Sequence, residues 1–163
     1  MSEQPVHRDD EYFMRLALRE AELAPAHADV PIGAVVVRDG ELLAAAHNER
    51  ELRGDPTAHA EVLALREAAS ATGSWRLLGT VVYITLEPCT MCAGALVLAR
   101  VGGVVYGAPD PKAGACGSVL DVFNEPALNH RPRLAGGLLA QECGETLRSF
   151  FASRRSTPMR RDR

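Results

Sequence analysis

Two short clusters hold the reactive chemistry of this 163-residue chain. His59-Ala60-Glu61 sets an imidazole two residues before a carboxylate, and Pro88-Cys89-Thr90-Met91-Cys92 sets two thiols three residues apart. One imidazole and two thiolates make a three-ligand zinc set. Structural zinc sites close with four protein ligands, whereas catalytic sites keep three and leave the fourth position to water. Residues three apart at a helix start share a face, so Cys89 and Cys92 can grip one ion. The positive end of a helix favours thiolate over thiol. Residues two apart do not share a face, so Glu61 is not expected on the metal with His59. That spacing suits a carboxylate beside the water position. Zinc lowers the pKa of its water from 15.7 to about 7, and a nearby carboxylate can take and return the proton. Bland readings stand beside these: a redox pair for the C-x-x-C, and a favourable dipole contact for a glutamate in a first helical turn. A zinc-stabilised binding module without activity is a reading of another class. It needs a fourth protein ligand, with Cys116 the candidate, and no role for Glu61.

These clusters meet only if the chain folds back between them. The pattern predicts a helix capped by Asp9 or Asp10 and running to about Leu23, with Met14, Ala17, Leu18 and Ala21 on one face. A loop over 24–31 leads to a buried strand, Ile32 to Val37. Asp39-Gly40 signals a hairpin turn, and Glu41 to His47 pairs back. After a polar loop, Asp55 and Pro56 resemble an N-cap and first helical position for a helix over about 58–71, which ends at Thr72-Gly73-Ser74. Val81 to Leu86 reads as a central strand. A helix from Cys89 to about Ala99 and a strand from Val104 to Gly107 follow. One helical turn is predicted over 119–123, a strand over 133–137 and a last helix over about 138–155. Its face carries Leu139, Cys143, Leu147, Phe150 and Phe151, and a frayed tail begins at Ser156. Alternating strands and helices imply a layered α/β fold in one domain over 1–163, with its core at about 11–155.

Composition is that of an ordinary globular protein, 47% hydrophobic and 24% charged. No apolar run reaches the roughly 20 residues that span a bilayer. The polar, acidic stretch from Met1 to Asp10 has no apolar core of a signal peptide, so a cytoplasmic location is expected. Two of the four cysteines form the C-x-x-C. Cys116 and Cys143 are isolated and read as packing residues. The net charge of −3 argues against a generic nucleic-acid binder. It is unevenly spread: residues 129–163 hold eight arginines against Glu142, Glu145 and Asp162, a net +5, leaving −8 on the rest. A basic end on an acidic body can steer a polyanion to one face, and a solvated charged helix is the bland alternative.

The H-x-E and P-C-x-x-C clusters match the signature of zinc-dependent nucleobase deaminases. From about Glu11 to Arg155 the chain resembles the tRNA-specific adenosine deaminases of the TadA type. The resemblance rests on Pro31–Val35, Asn48, Asp55–Glu61, Thr85–Ala95, Gly107-Ala108, Asp110, Lys112–Gly114, Gly117-Ser118, Asn129–Arg131 and Phe150-Phe151. It implies a three-layer α/β/α, cytidine-deaminase-like fold around a mostly five-stranded mixed sheet. It further implies one zinc ion per subunit, a homodimer, Glu61 as proton shuttle, and inosine formed at the wobble position of a tRNA anticodon, with an arginine tRNA the expected partner. Asn48 would contact the target nucleoside, and backbone near Ala60 and Glu87 would hold its base. Asp110 and Lys112 would lie near the RNA backbone. His130 and Arg131 would reach the anticodon loop or support the loop that does, and Arg154 would meet phosphate. A satisfied, partly buried histidine is the bland reading of His130. Two segments depart from the pattern: the charged run from Glu49 to Arg53, and Pro109 and Pro111 around Asp110. A free-base or nucleoside deaminase of the guanine or cytosine type is the alternative, since it shares the zinc motif without needing a basic C-terminal end.

Overall fold

A computed structural model describes residues 8–156 of the chain. Helix α1 (Arg8–Ala21) is followed by a 3-10 turn (Ala24–His27), strands β1 (Gly33–Arg38) and β2 (Glu41–His47), and a short helix α2 (Arg50–Arg53). Next come α3 (Ala60–Thr72), β3 (Thr80–Leu86), α4 (Thr90–Leu98) and β4 (Gly103–Ala108). A second 3-10 turn (Val122–Asn124), β5 (Arg133–Gly136) and α5 (Ala140–Arg155) complete the order. The sheet runs β2-β1-β3-β4-β5, with β1 antiparallel to both neighbours and β3, β4 and β5 mutually parallel. It is the expected five-stranded mixed sheet with β3 at its centre.

Successive residues of a strand face opposite sides, and that alternation builds the layers. Ala34, Val36, Val82, Ile84 and Val104 pack with Leu63 and Ala64 of α3 and Leu96 and Val97 of α4. Val35, Val37, Tyr83 and Val105 pack with Phe13, Met14 and Ala17 of α1 and Cys143 of α5. Each fully buried valine or leucine contributes roughly 1.5–3 kcal/mol. Gly33 lets α1 lie close on β1, because a Cβ there would sit 1.9 Å from the Ala17 carbonyl oxygen. Asp39 and Gly40 turn the hairpin with φ of 51° and 77°, as a type I′ turn requires. Among the described residues, no helix is long and apolar enough to cross a membrane.

The structure moves several predicted boundaries. Helix α3 begins at Ala60, not Ala58, and Asp55 does not cap it. The Asp55 carboxylate instead accepts from the backbone N–H and hydroxyl of Thr57, which spends it on a local turn. The polar loop after β2 contains α2, held by a carboxylate from a distant segment that the local pattern cannot reveal. The helical turn expected over 119–123 lies at Val122–Asn124. Helix α5 starts at Ala140 because Leu139, with φ of 52°, is left-handed and outside it. Only Cys143 on its expected apolar face is fully buried. Residues 1–7 and the tail after Ser156 lie outside the described residues.

Candidate functional site

His59 and Cys89 are the N-cap residues of α3 and α4, and neither side chain caps its own helix. Both extended backbones release the side chains towards a common point at the carboxyl edge of β3. The free N–H at the start of α3 is satisfied from elsewhere: Asn48 Oδ1, 3% exposed, accepts from Ala60 N at 2.9 Å. A residue outside the helix thus does the capping and leaves the imidazole available.

His59 Nδ1 lies 3.6 Å from Cys89 Sγ and 3.5 Å from Cys92 Sγ. The three ligand atoms fall within 4.8 Å of one another. A tetrahedral ion with Zn–S near 2.3 Å and Zn–N near 2.0–2.1 Å separates sulfur from nitrogen by about 3.6 Å. The three donors therefore fit zinc in both type and spacing. Without an ion, hydrogen bonding from Cys92, opposed by burial and helped by His59, draws Cys89 down to about 4. The same bond, with burial, pushes Cys92 far up. His59 is held above its ordinary value mainly by the Cys89 sulfur. Cys89 is thus the thiol that ionises more readily, and a cation bound by the set displaces the protons of its donors.

Glu61 is 4% exposed, and burial raises its pKa, with a hydrogen bond to Cys92 acting in the other direction. It is a sequestered carboxyl beside the sulfurs, placed to carry a proton. Cys116 is not in the three-ligand cluster; it is buried in the core, where desolvation pushes its thiol up to about 12. Cys143, raised by burial to about 11, packs where Gly107 leaves room for its sulfur.

Glu87 emerges as a residue whose side chain the sequence reading missed. It is 2% exposed and accepts four hydrogen bonds, from Asp110 N, Cys116 N, Ser118 N and Ser118 Oγ. Its carboxylate fastens the whole 108–118 loop against the site. Gly114 lies so close that a Cβ would meet Glu87 Oε2 at 2.1 Å. A charged residue directly after the apolar strand Val81–Leu86 was the available signal. Within the loop, Asp110 Oδ1 accepts from Lys112 N and Ala113 N, and Lys112 is exposed. Asn48, Asp110 and Lys112 thus sit on loops at the site's edge of the sheet. His130 and Arg131 do not. His130 Nε2 donates to the Val101 carbonyl at 2.7 Å, just before β4, so the length of that strand, about 17 Å, separates it from the site. Arg131 beside it is exposed. Arg154, exposed near the end of α5, stacks over Phe150 at 5.1 Å.

Comparison with known proteins places this geometry in context. A match to the MafB19-like deaminase family spans residues 8–155. The tRNA-specific adenosine deaminase of Bacillus subtilis (strain 168) is 49% identical over 142 residues, covering 87% of this chain and 88% of that protein. A structure from work on A-to-I editing by tRNA:A34 deaminases at the wobble position superposes with a TM-score of 0.81 at 46% identity, covering 83% of this chain and 99% of that one. A guanine deaminase from Nitrosomonas europaea superposes with a TM-score of 0.75 at 27% identity, covering 93% and 89%.

Proposed function

The chain belongs to the tRNA-specific adenosine deaminases, within the MafB19-like deaminase family, and from that premise we infer that it converts adenosine to inosine at the wobble position of a tRNA anticodon. The observation that carries the reading is the convergence of His59, Cys89 and Cys92 on one point beside the buried Glu61. Those three side chains would hold one zinc ion per subunit. When bound, zinc supplies a water acidified towards neutral pH. Glu61 would accept a proton from the attacking water, pass it to N1 of the purine and help the amine leave. Water oxygen replaces nitrogen at C6, and the products are inosine and ammonia.

The other residues bind and orient. Asn48 Nδ2 donates to no group among the described residues, so it is available to the nucleoside while Oδ1 holds the helix start. Glu87 sets the loop from which Asp110 and Lys112 meet the RNA backbone. Arg131 and Arg154 contribute positive charge further out, where phosphates run, and His130 supports the segment beside Arg131. An anticodon loop suits this arrangement, because its unstacked bases can be turned into a pocket. The enzyme acts as a homodimer in the cytoplasm. Support for the dimer comes from an apolar groove between α3 and α4, formed in part by Val62, Ala69, Trp75, Ala95 and Leu98, with Trp75 56% and Leu98 69% exposed.

The test is a parallel incubation. The zinc-loaded protein receives an adenosine-bearing arginine anticodon stem-loop and, separately, free guanine, cytosine, adenosine and cytidine. Inosine and ammonia are expected from the stem-loop. Ammonia released only from a free base would instead establish a deaminase of the guanine or cytosine type.

A further inference from the structure

A second cluster of ligating side chains lies outside the catalytic set. His27 ends the first 3-10 turn and His47 ends β2, yet their ring centroids lie 5.2 Å apart, with the planes tilted by 30°. Their Nε2 atoms face each other at 3.2 Å. Behind each ring stands a carboxylate: Asp29 Oδ2 lies 2.6 Å from His27 Nδ1, and Glu20 Oε1 lies 2.8 Å from His47 Nδ1. Glu49 Oε1 adds a further oxygen 3.7 Å from His47 Nε2. All five side chains are mostly shielded, with Asp29 only 2% exposed.

An imidazole that donates from Nδ1 to a carboxylate presents a lone pair at Nε2. Two such lone pairs at 3.2 Å repel unless a positive centre lies between them. Two nitrogens bound tetrahedrally to one zinc ion at 2.0–2.1 Å stand about 3.3–3.4 Å apart. A carboxylate behind each ligating imidazole is the arrangement that fixes tautomer and raises basicity in metal sites. We propose that His27 and His47 form a second site for a divalent transition-metal ion of the zinc, nickel or copper class, which imidazole ligands favour, with Glu49, near His47 alone, swinging in as a third ligand. Glu49 reaches the ion by releasing Arg53, which is 53% exposed, so little is lost in the exchange.

The position gives the site a use. It joins α1 through Glu20, the α1–β1 loop through His27 and Asp29, and the end of β2 through His47. Asp29 also accepts from Glu51 N and Leu52 N, so the same carboxylate anchors α2. His47 directly precedes Asn48, whose side chain caps the helix that carries Glu61. An ion here stiffens the wall of the cleft without touching the reaction.

The site is tested by counting metal. Protein stripped with chelator is equilibrated with zinc at buffered micromolar free concentration, and zinc per chain is measured by emission spectrometry. Two ions per chain are expected in the unaltered protein, and one in His27→Gln and in His47→Gln. Glu20→Gln should weaken the second ion by about 10- to 100-fold. Cobalt replacement tells the sites apart, because only the thiolate centre gives sulfur-to-metal charge-transfer absorption, and His27→Gln should leave that band unchanged. One ion in the unaltered protein and the same one ion in His27→Gln would show that the histidines share a proton instead, overturning the proposal. One ion in the unaltered protein, lost in His27→Gln and without a thiolate band, would keep this site and refute the zinc centre at Cys89. The unaltered protein's count and its cobalt thiolate band together decide between these outcomes, so the test does not depend on every variant folding.

Discussion

Glu61 holds a costly position. It is a carboxyl buried beside two sulfurs, and burial raises its pKa. A carboxyl raised in this way holds a proton more readily than an exposed one, which suits a proton carrier. Glu61→Gln keeps the shape and hydrogen-bonding reach but cannot take a proton. Turnover on the stem-loop is expected to fall by about 10²–10⁴, with zinc content unchanged. A variant retaining near-normal turnover would remove Glu61 from the reaction. Glu87 is buried as deeply and does other work, since its carboxylate accepts three backbone N–H groups and one hydroxyl. Glu87→Gln turns part of that acceptor surface into a donor facing N–H groups. A stability loss of about 1–3 kcal/mol is expected, with faster amide exchange confined to residues 108–118 and a raised KM. Unchanged exchange in that loop would show that the loop holds itself.

Helix starts do most of the positioning. Both α3 and α4 begin at a metal-ligating residue, so the caps must come from outside, and Asn48 supplies one of them. Helix α2 depends likewise on Asp29. Burial alone would raise Asp29, but the N–H groups of Glu51 and Leu52, with His27, hold its carboxyl below the usual range. A depressed carboxyl contributes stability above its unfolded value, about 3.9. That contribution is lost as pH falls through the lower folded value. In urea unfolding of metal-free protein, Asp29→Asn should cost about 1–3 kcal/mol at pH 7, with the gap to the unaltered protein shrinking below about pH 4. An equal gap at both pH values would assign the loss to packing rather than charge.

Around one sheet, the two helical layers do different jobs. Helices α1 and α5 cover one face, and only the start of α5 is buried, so its arginine-bearing end is exposed. Helices α3 and α4 cover the other face, carry Glu61 and Cys92, and leave the groove at Trp75 and Leu98 open to solvent. A second copy seated there would place two sites in one particle. If the proposed dimer forms there, Leu98→Glu would bury a charge in its contact, and sedimentation is expected to show a dimer for the unaltered protein and a monomer for the variant. The same distribution in both proteins would move the dimer contact elsewhere.

The three-donor cluster, the carboxylate beside it and most of the elements could be read along the chain. Those features rest on short-range signals: three-residue spacing at a helix start, the β-branched and aromatic run Val81–Leu86, and a Gly40 turn. Contacts between distant segments could not be read so. Asp55 looked like a cap by local pattern and instead closes its own turn, while the cap of α3 came from Asn48, twelve residues earlier. Glu87 entered the sequence reading only through the backbone near it, and its side chain gained a role when the 108–118 loop folded over it. His27 and His47 lie twenty residues apart and meet only because β1 and β2 form a hairpin packed on α1. Propensity and spacing act over a few residues, whereas hydrogen-bond partners across a sheet edge are chosen by how whole layers pack.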